Sequence, residues 1–429
     1  MNGTMMTDWA TPLTLPCGAT LRNRFAKAAM TEGLGNGQCQ ATDRHVRLYR
    51  RWANGGAGLL LTGNVQVDRR FLERAGNVAI DGNGGLEALR AYAAAATEND
   101  THCWMQINHP GRQAAVGTEQ YVAPSDVPLY TGSAERARAL SEDEIRDIIR
   151  RFAHVASGAR ETGFTGVQVH AAHGYLISQF LNPLVNRRTD DWGGSLANRA
   201  RFLLEIVRAI RVAVGSDFPI SVKLNSSDFQ KGGMVEDESV QVVGWLEAAG
   251  IDLLEISGGN YESQVMIGKD GEDETQLPKA ASTVAREAYF LEFAARIRPG
   301  MKVPLMLTGG FRTPAAMRAA LASGAVDVLG IARPLCLEPD LCARLLRGEA
   351  IDAERVDEEV RIARDGIGEM TEAAYRALLI DAGTSYYYNR MRQIADAREE
   401  PFHYDWLRSL DEHNSLVAID RDHYLGAMK

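Results

Sequence analysis

Cysteine is scarce in this chain. The five that occur (Cys17, Cys39, Cys103, Cys336 and Cys342) form no Cys-x-x-Cys pair and no closely spaced ligand set. That spacing excludes an iron–sulfur cluster and reads as separate thiols in a reducing, cytoplasmic setting. Long apolar runs are missing too: none reaches the roughly 18 residues that a membrane helix needs. The opening MNGTMMTDWATPL has neither a basic nor an apolar leader region, so no secretory signal is expected. Positive charge is in deficit, with 47 Lys and Arg against 56 Asp and Glu, a net charge of −9. The balance argues against nucleic acid or an acidic membrane as the main partner. No Gly-x-Gly-x-x-Gly βαβ unit occurs, so no Rossmann domain is appended.

What is present is an ordinary globular composition, 45% hydrophobic and 24% charged, with short apolar runs and amphipathic stretches in regular alternation. Strands are expected at Arg24–Met30, Gly58–Val65, Cys103–Ile107, Gly166–Val169, Ile220–Leu224, Asp252–Ile256, Val303–Leu307 and Val326–Gly330. Helices are expected at Asp43–Ala53, Leu86–Glu98, Ser141–Glu161, Ala197–Val214, Ser239–Ala249, Val284–Arg298, Pro314–Ser323 and Pro339–Arg347. Ser141-x-x-Glu144 is a capping box at the third helix. Apolar strands between helices imply a parallel sheet covered on both faces, and eight such units fit a closed (β/α)8 barrel. Leu13–Leu21 reads as a hairpin turning at Pro16–Gly18 that caps the barrel's bottom. The long connections, Asn108–Leu140, Ala171–Leu196, Asn225–Glu238 and Ser257–Ser282, all follow strands and so decorate the C-terminal face, where barrel sites are built. A barrel over residues 1–348 leaves 349–429 as a helical extension. Its Ser385–Met391 stretch, with three consecutive tyrosines, is expected to pack on the barrel or at a subunit contact.

Several strand ends carry chemistry. The seventh and eighth end in Leu307-Thr-Gly-Gly-Phe311 and Leu329-Gly-Ile-Ala-Arg-Pro334, where glycine backbone and Arg333 suit a phosphate. Gln106 and Asn108 alternate to the same side of the third strand. Lys223 sits inside an apolar strand and therefore needs an anionic partner. Thr31 offers a hydroxyl at the end of the first strand. Two imidazoles three positions apart, His170 and His173, would share one face of a helical turn, with Tyr175 just beyond. They could hold an acceptor oxygen, bind a metal with further ligands, or be structural; the donor reading is preferred, and Tyr175 is then a proton donor.

The runs NRFAKAAMT, QINHPGR and HAAHGYLISQFLNPLVNRRTDDWGGSLANRARF, with the Gly-x-Ala-Arg-Pro ending, resemble the Old Yellow Enzyme family of FMN-dependent ene-reductases across residues 10–348. The resemblance implies FMN in the barrel mouth, reduced at N5 by NAD(P)H, with hydride then passed to the β-carbon of an activated alkene. It implies that Ala29, Met30, Thr31, Gly63, Gln106 and Lys223 line the flavin ring and that Gly309, Gly310, Ala332 and Arg333 hold its phosphate. His170 and His173 would bind the acceptor oxygen and Tyr175 would protonate the α-carbon. The chain departs from the family where Lys223 replaces an arginine, Ala29 a proline, Ala332 a glycine and Thr31 the cysteine of one branch. A lysine is a point charge and not a planar fork, so the flavin potential should differ. The implied partners are NAD(P)H and a small activated alkene, with a homo-oligomer contact through the tail. An NAD(P)H oxidase or quinone reductase, a metal-dependent barrel hydrolase or lyase, and a flavin-binding sensor are the other readings.

Overall fold

The computed structural model describes residues 8–130, 133–228, 230–257, 290–349, 360–364, 367–398 and 405–429. Eight strands make the central sheet: β1 Phe25–Lys27, β2 Leu59–Gln66, β3 His102–Asn108, β4 Gly166–Ala171, β5 Ile220–Asn225, β6 Leu253–Ser257, β7 Leu305–Thr308 and β8 Val328–Ile331. Each pairs in parallel with the next, and β8 pairs with β1, so the sheet closes into a (β/α)8 barrel. The strand β2 carries a register shift between Leu61 and Asn64, an irregularity of the kind found beside functional sites.

Alternation along the strands separates two cores. Outward residues such as Phe25, Leu60, Met105, Val167, Val222 and Leu254 join the helices in one large cluster. Inward residues Ala26, Leu59, Leu61, Trp104, Leu253, Met306 and Val328 form a second cluster with Leu15 and Leu21 of the N-terminal hairpin. The hairpin, Leu13–Thr14 paired with Thr20–Leu21, therefore plugs the bottom of the barrel. Burial on both faces is why these strands read as near-continuous apolar runs.

Helix positions follow the expected pattern closely: Asp43–Ala53, Leu86–Ala96, Glu142–Thr162, Leu196–Val214, Glu236–Ala248, Pro314–Ala322 and Leu341–Leu346. The capping box forms at Ser141, whose Oγ accepts from the Glu144 N–H while Glu144 Oε2 accepts from the Ser141 N–H at 2.8 Å. Of the helix expected at Val284–Arg298, residues 290–297 are helical and the part before them lies outside the described residues, as does the loop expected at Ser257–Ser282 beyond Ser257. The first strand is shorter than expected: the regular ladder ends at Lys27, with the Ala28 N–H making a last bond to Ile331 O at 2.8 Å.

Beyond the barrel, helices Glu372–Ala395 and Trp406–Ala427 pack on each other, with Asn389 Nδ2 donating to Ser409 O at 2.9 Å. Arg44 on the first barrel helix pairs with Asp396 at 2.7 Å, and the Tyr424 hydroxyl donates to Arg69 O at 2.7 Å. Among the described residues no helix is long and apolar enough to cross a membrane.

Candidate active site

Above its apolar floor the barrel interior becomes polar on one side. Gln106 from β3, Gln168 from β4, Ser221 and Lys223 from β5 and Glu255 from β6 are all buried. Strand register places Gln168 beside Gln106 and Ser221, and Lys223 beside both His170 and Glu255. Gln106 Nε2 donates to Gln168 Oε1 at 2.7 Å, and Gln168 Nε2 donates to Glu255 Oε2 at 2.7 Å. Lys223 Nζ lies 3.0 Å from Glu255 Oε1. The anion that Lys223 requires is therefore Glu255. Sequence reasoning missed both Glu255 and Gln168, although a carboxylate inside the apolar run Asp252-Leu-Leu-Glu-Ile256 carries the same burial signal as Lys223.

The two imidazoles and the phenol come together one layer higher. The ring centroid of His170 lies 5.0 Å from that of His173 and 4.8 Å from that of Tyr175, edge-on to both. A helical turn does not bring the histidines together, contrary to the sequence expectation. His170 is the inward residue near the end of β4, and His173 folds back in the left-handed region at φ 61°, before the helix that starts at Leu176. That backbone conformation costs about 1–2 kcal/mol in a residue with a Cβ. It is held by the His173 N–H, which donates to Asn225 Oδ1 at 3.2 Å, and by a 2.7 Å bond between His173 Nε2 and Ser257 Oγ. His170 Nδ1 accepts from the Ala172 N–H at 3.3 Å, so a neutral His170 carries its proton on Nε2. Burial, reinforced by the charge of Lys223, pushes both imidazoles well below the ordinary histidine value; His173 adds to the effect on His170. The pair is thus neutral at physiological pH, and His170 keeps an N–H donor on Nε2.

On the opposite side, Thr31 and Gly63 meet over a buried acid. The Glu32 carboxylate accepts from the Gly63 N–H at 2.8 Å and from the Tyr49 hydroxyl. Lys27 Nζ donates to Leu61 O at 2.7 Å and to the Tyr49 hydroxyl at 3.2 Å, with the Trp52 ring 4.5 Å away. Burial lowers this lysine to about 8. A Cβ on Gly63 would fall 2.1 Å from Glu32 Oε2 and 2.7 Å from Met30 O, so only glycine allows the two strand ends this approach. Met30 Sδ is 3.6 Å from Cys336 Sγ, linking the β1 end to the segment after β8.

The phosphate-type features gather after β7 and β8. Gly309 and Gly310 adopt φ of 132° and 76°, and a Cβ on Gly309 would meet open space. Among the described residues the buried Thr308 hydroxyl has no hydrogen-bond partner, and neither does the Asn108 side-chain amide at the mouth end of β3. Ala332 and Arg333 follow β8, and the Arg333 guanidinium lies 6.0 Å from the Tyr387 ring of the C-terminal extension. Unsatisfied buried hydroxyl and amide groups, a glycine tip with space beside it and a nearby guanidinium fit a flat polar ring with a phosphorylated tail. The sequence-predicted residues thus fall into three groups around one mouth: His170, His173, Tyr175, Lys223 and Gln106 on β3–β5; Ala29, Met30, Thr31 and Gly63 on β1–β2; and Gly309, Gly310, Ala332 and Arg333 on β7–β8.

Comparison with known proteins agrees with this geometry. Residues 10–351 match the model of the NADH:flavin oxidoreductase / NADH oxidase family. The "NADH-dependent flavin oxidoreductase iliE" of Hypocrea jecorina is 38% identical over 353 residues, covering 76% of this chain and 86% of that protein. Its namesake in a Neonectria species is 36% identical over 420 residues, covering 90% of this chain, which spans only 54% of that longer protein. Among solved structures, a 2-naphthoyl-CoA reductase complex superposes with a TM-score of 0.72 at 27% identity, over 81% of this chain and 54% of the other. The Old Yellow Enzyme homologue of Zymomonas mobilis shares the fold at a TM-score of 0.66 and 24% identity, over 84% of this chain and 98% of its own. With its closed barrel, its polar interior and a family match over residues 10–351, the chain belongs to the NADH:flavin oxidoreductase / NADH oxidase family of FMN-dependent enzymes.

Proposed function

We propose that this protein takes electrons from NADH and uses them to reduce an activated alkene, an enone, enal, nitroalkene or maleimide. The observation that carries this reading is the neutral His170–His173 pair with Tyr175 edge-on to His170, above a buried polar floor. FMN, when bound, supplies the hydride. The chain's own groups do the rest. Gln106 and Lys223 would hold the ring at its pyrimidine edge, and Ala29, Met30, Thr31 and Gly63 would line it at the β1–β2 strand ends. The backbone of Gly309 and Gly310, together with Ala332 and Arg333, holds the phosphate. The Nε2–H of His170 aims a donor at the acceptor oxygen, where negative charge grows as hydride adds, and a preorganised donor there lowers the barrier. His173, fixed by Asn225 and Ser257, confines the same oxygen. The hydroxyl of Tyr175 then gives a proton to the α-carbon.

The test separates the two halves of the cycle. In Tyr175→Phe, bleaching of the yellow protein by NADH should proceed as in the parent, while turnover of cyclohexenone falls about 100-fold. Unchanged enone turnover would remove Tyr175 from its role, and a colourless protein that rejects FMN would remove the whole reading. A relative in Thermoanaerobacter brockii, 34% identical over 328 residues, is named "NADH oxidase". If oxygen uptake outpaces enone reduction under air, oxygen or a quinone is the acceptor and Tyr175 is a bystander.

A further inference from the structure

Lys223 and Gln106, the two groups assigned above to the flavin's pyrimidine edge, are tied to the same carboxylate. Glu255 takes Lys223 Nζ on one oxygen at 3.0 Å, and on the other it takes Gln168, which in turn holds Gln106, each at 2.7 Å. Glu255 has no exposed surface and Lys223 is 4% exposed. Three other ionisable groups feel Lys223: the neutral His170 and His173 on β4, and Lys27 on β1. An unpaired ammonium in this low-dielectric interior would act at nearly full strength on a neighbouring ring, whereas a close ion pair presents little net charge.

We propose that Glu255 is a positioning residue that neutralises Lys223 beneath the flavin and so holds the cofactor's reduction potential down. The inference rests on the flavin site proposed above. Hydride from NADH brings two electrons and one proton, NAD⁺ leaves, and the flavin gains one negative charge. A free cation at Lys223 would stabilise that charge and trap the electrons. The Glu255 pair withholds that stabilisation, which favours passing hydride onward to the acceptor. Through Gln168 the same carboxylate also fixes which amide atom of Gln106 faces the mouth: Nε2 is engaged in the chain, leaving Oε1 to accept.

Redox titration of the FMN-loaded full-length protein tests this with three variants. Glu255→Gln should raise the midpoint potential by at least about 30 mV, a tenfold gain in the affinity ratio of reduced over oxidised flavin. Lys223→Gln should lower it by a similar amount, because Glu255 is then left unpaired. The double variant Lys223→Gln/Glu255→Gln should return to within threefold of the parent, since a neutral pair has been replaced by neutral amides. It also keeps the question decidable if Glu255→Gln alone fails to fold around an unpaired lysine. A double variant lowered as far as Lys223→Gln alone, or an unchanged Glu255→Gln, would overturn the inference while leaving the flavin site standing. If Lys223→Gln moves nothing, the flavin is not above Lys223 and the site assignment itself fails.

Discussion

At the scale of single residues, the imidazole pair is defined by what it lacks, a charge. Burial opposes protonation of His170 and His173, and the Ala172 N–H occupies His170 Nδ1. A site that holds its acceptor through neutral donors should not titrate in the usual histidine range. The KM for an enone should therefore stay level from pH 8 down to pH 6 in steady-state assays. A rise or fall centred near 6.5 would mean that one ring is charged in the working enzyme. Lys223 shows how context redefines a residue. In the sequence it is a cation in search of an anion, and in the barrel it is half of a neutral pair with Glu255.

At the scale of elements, the ends of β1 and β2 are held together by one carboxylate. Glu32 binds the Gly63 N–H and the Tyr49 hydroxyl, and the space that a Cβ would need at Gly63 is filled by Glu32, Met30 O and Thr31 Cα. Two of those three neighbours are backbone and cannot swing aside. Gly63→Ala should destabilise the protein by about 1–3 kcal/mol in urea unfolding and weaken FMN binding at least tenfold in a fluorescence titration. Unaltered flavin affinity would detach this strand junction from the cofactor site. The strands themselves were legible because each is covered on both faces and reads as an apolar run. The end of β1 was not, since Ala28–Met30 stay apolar past the end of the regular ladder at Lys27. The histidine pair was legible as a pair but not in its geometry, because the left-handed turn at His173 depends on Asn225 and Ser257, over fifty residues away. The partner of Lys223 was hidden for the same reason: register between β5 and β6, not spacing along the chain, sets Glu255 beside it.

At the scale of the whole molecule, the C-terminal helices and the barrel share a population of buried, uncharged histidines. Burial lowers His45 and His109 to about 4 and His413 to about 3, and it lowers His170 and His173 as well. His413 lies in the extension, stacked on Tyr388 at 4.9 Å and 3.2 Å from the Arg74 guanidinium, so protonating it would set charge against charge across the tail–barrel contact. In each case the folded value lies below the unfolded one near 6.5, so the folded state binds fewer protons. Their contribution to stability is complete above about pH 6.5 and is lost as the pH falls from there toward each folded value. Each group can withdraw up to about 1.4 kcal/mol per pH unit in that interval. Asp228, raised by burial to about 6, together with Glu73 and Asp420, both also raised by burial, works the other way and offsets part of the loss. Lys27, lowered to about 8, adds the same sign as the histidines at higher pH, because its folded state also sheds its proton early. With His102, also lowered by burial, six histidines outweigh three carboxylates, so the thermal midpoint of the FMN-loaded protein should be highest above pH 7 and drop steadily between pH 6.5 and 5. Replacing His413 with Gln, which cannot be protonated, should flatten that slope by one group's share. A midpoint that holds level or rises over the same interval would show that these imidazoles accept protons without opening the fold.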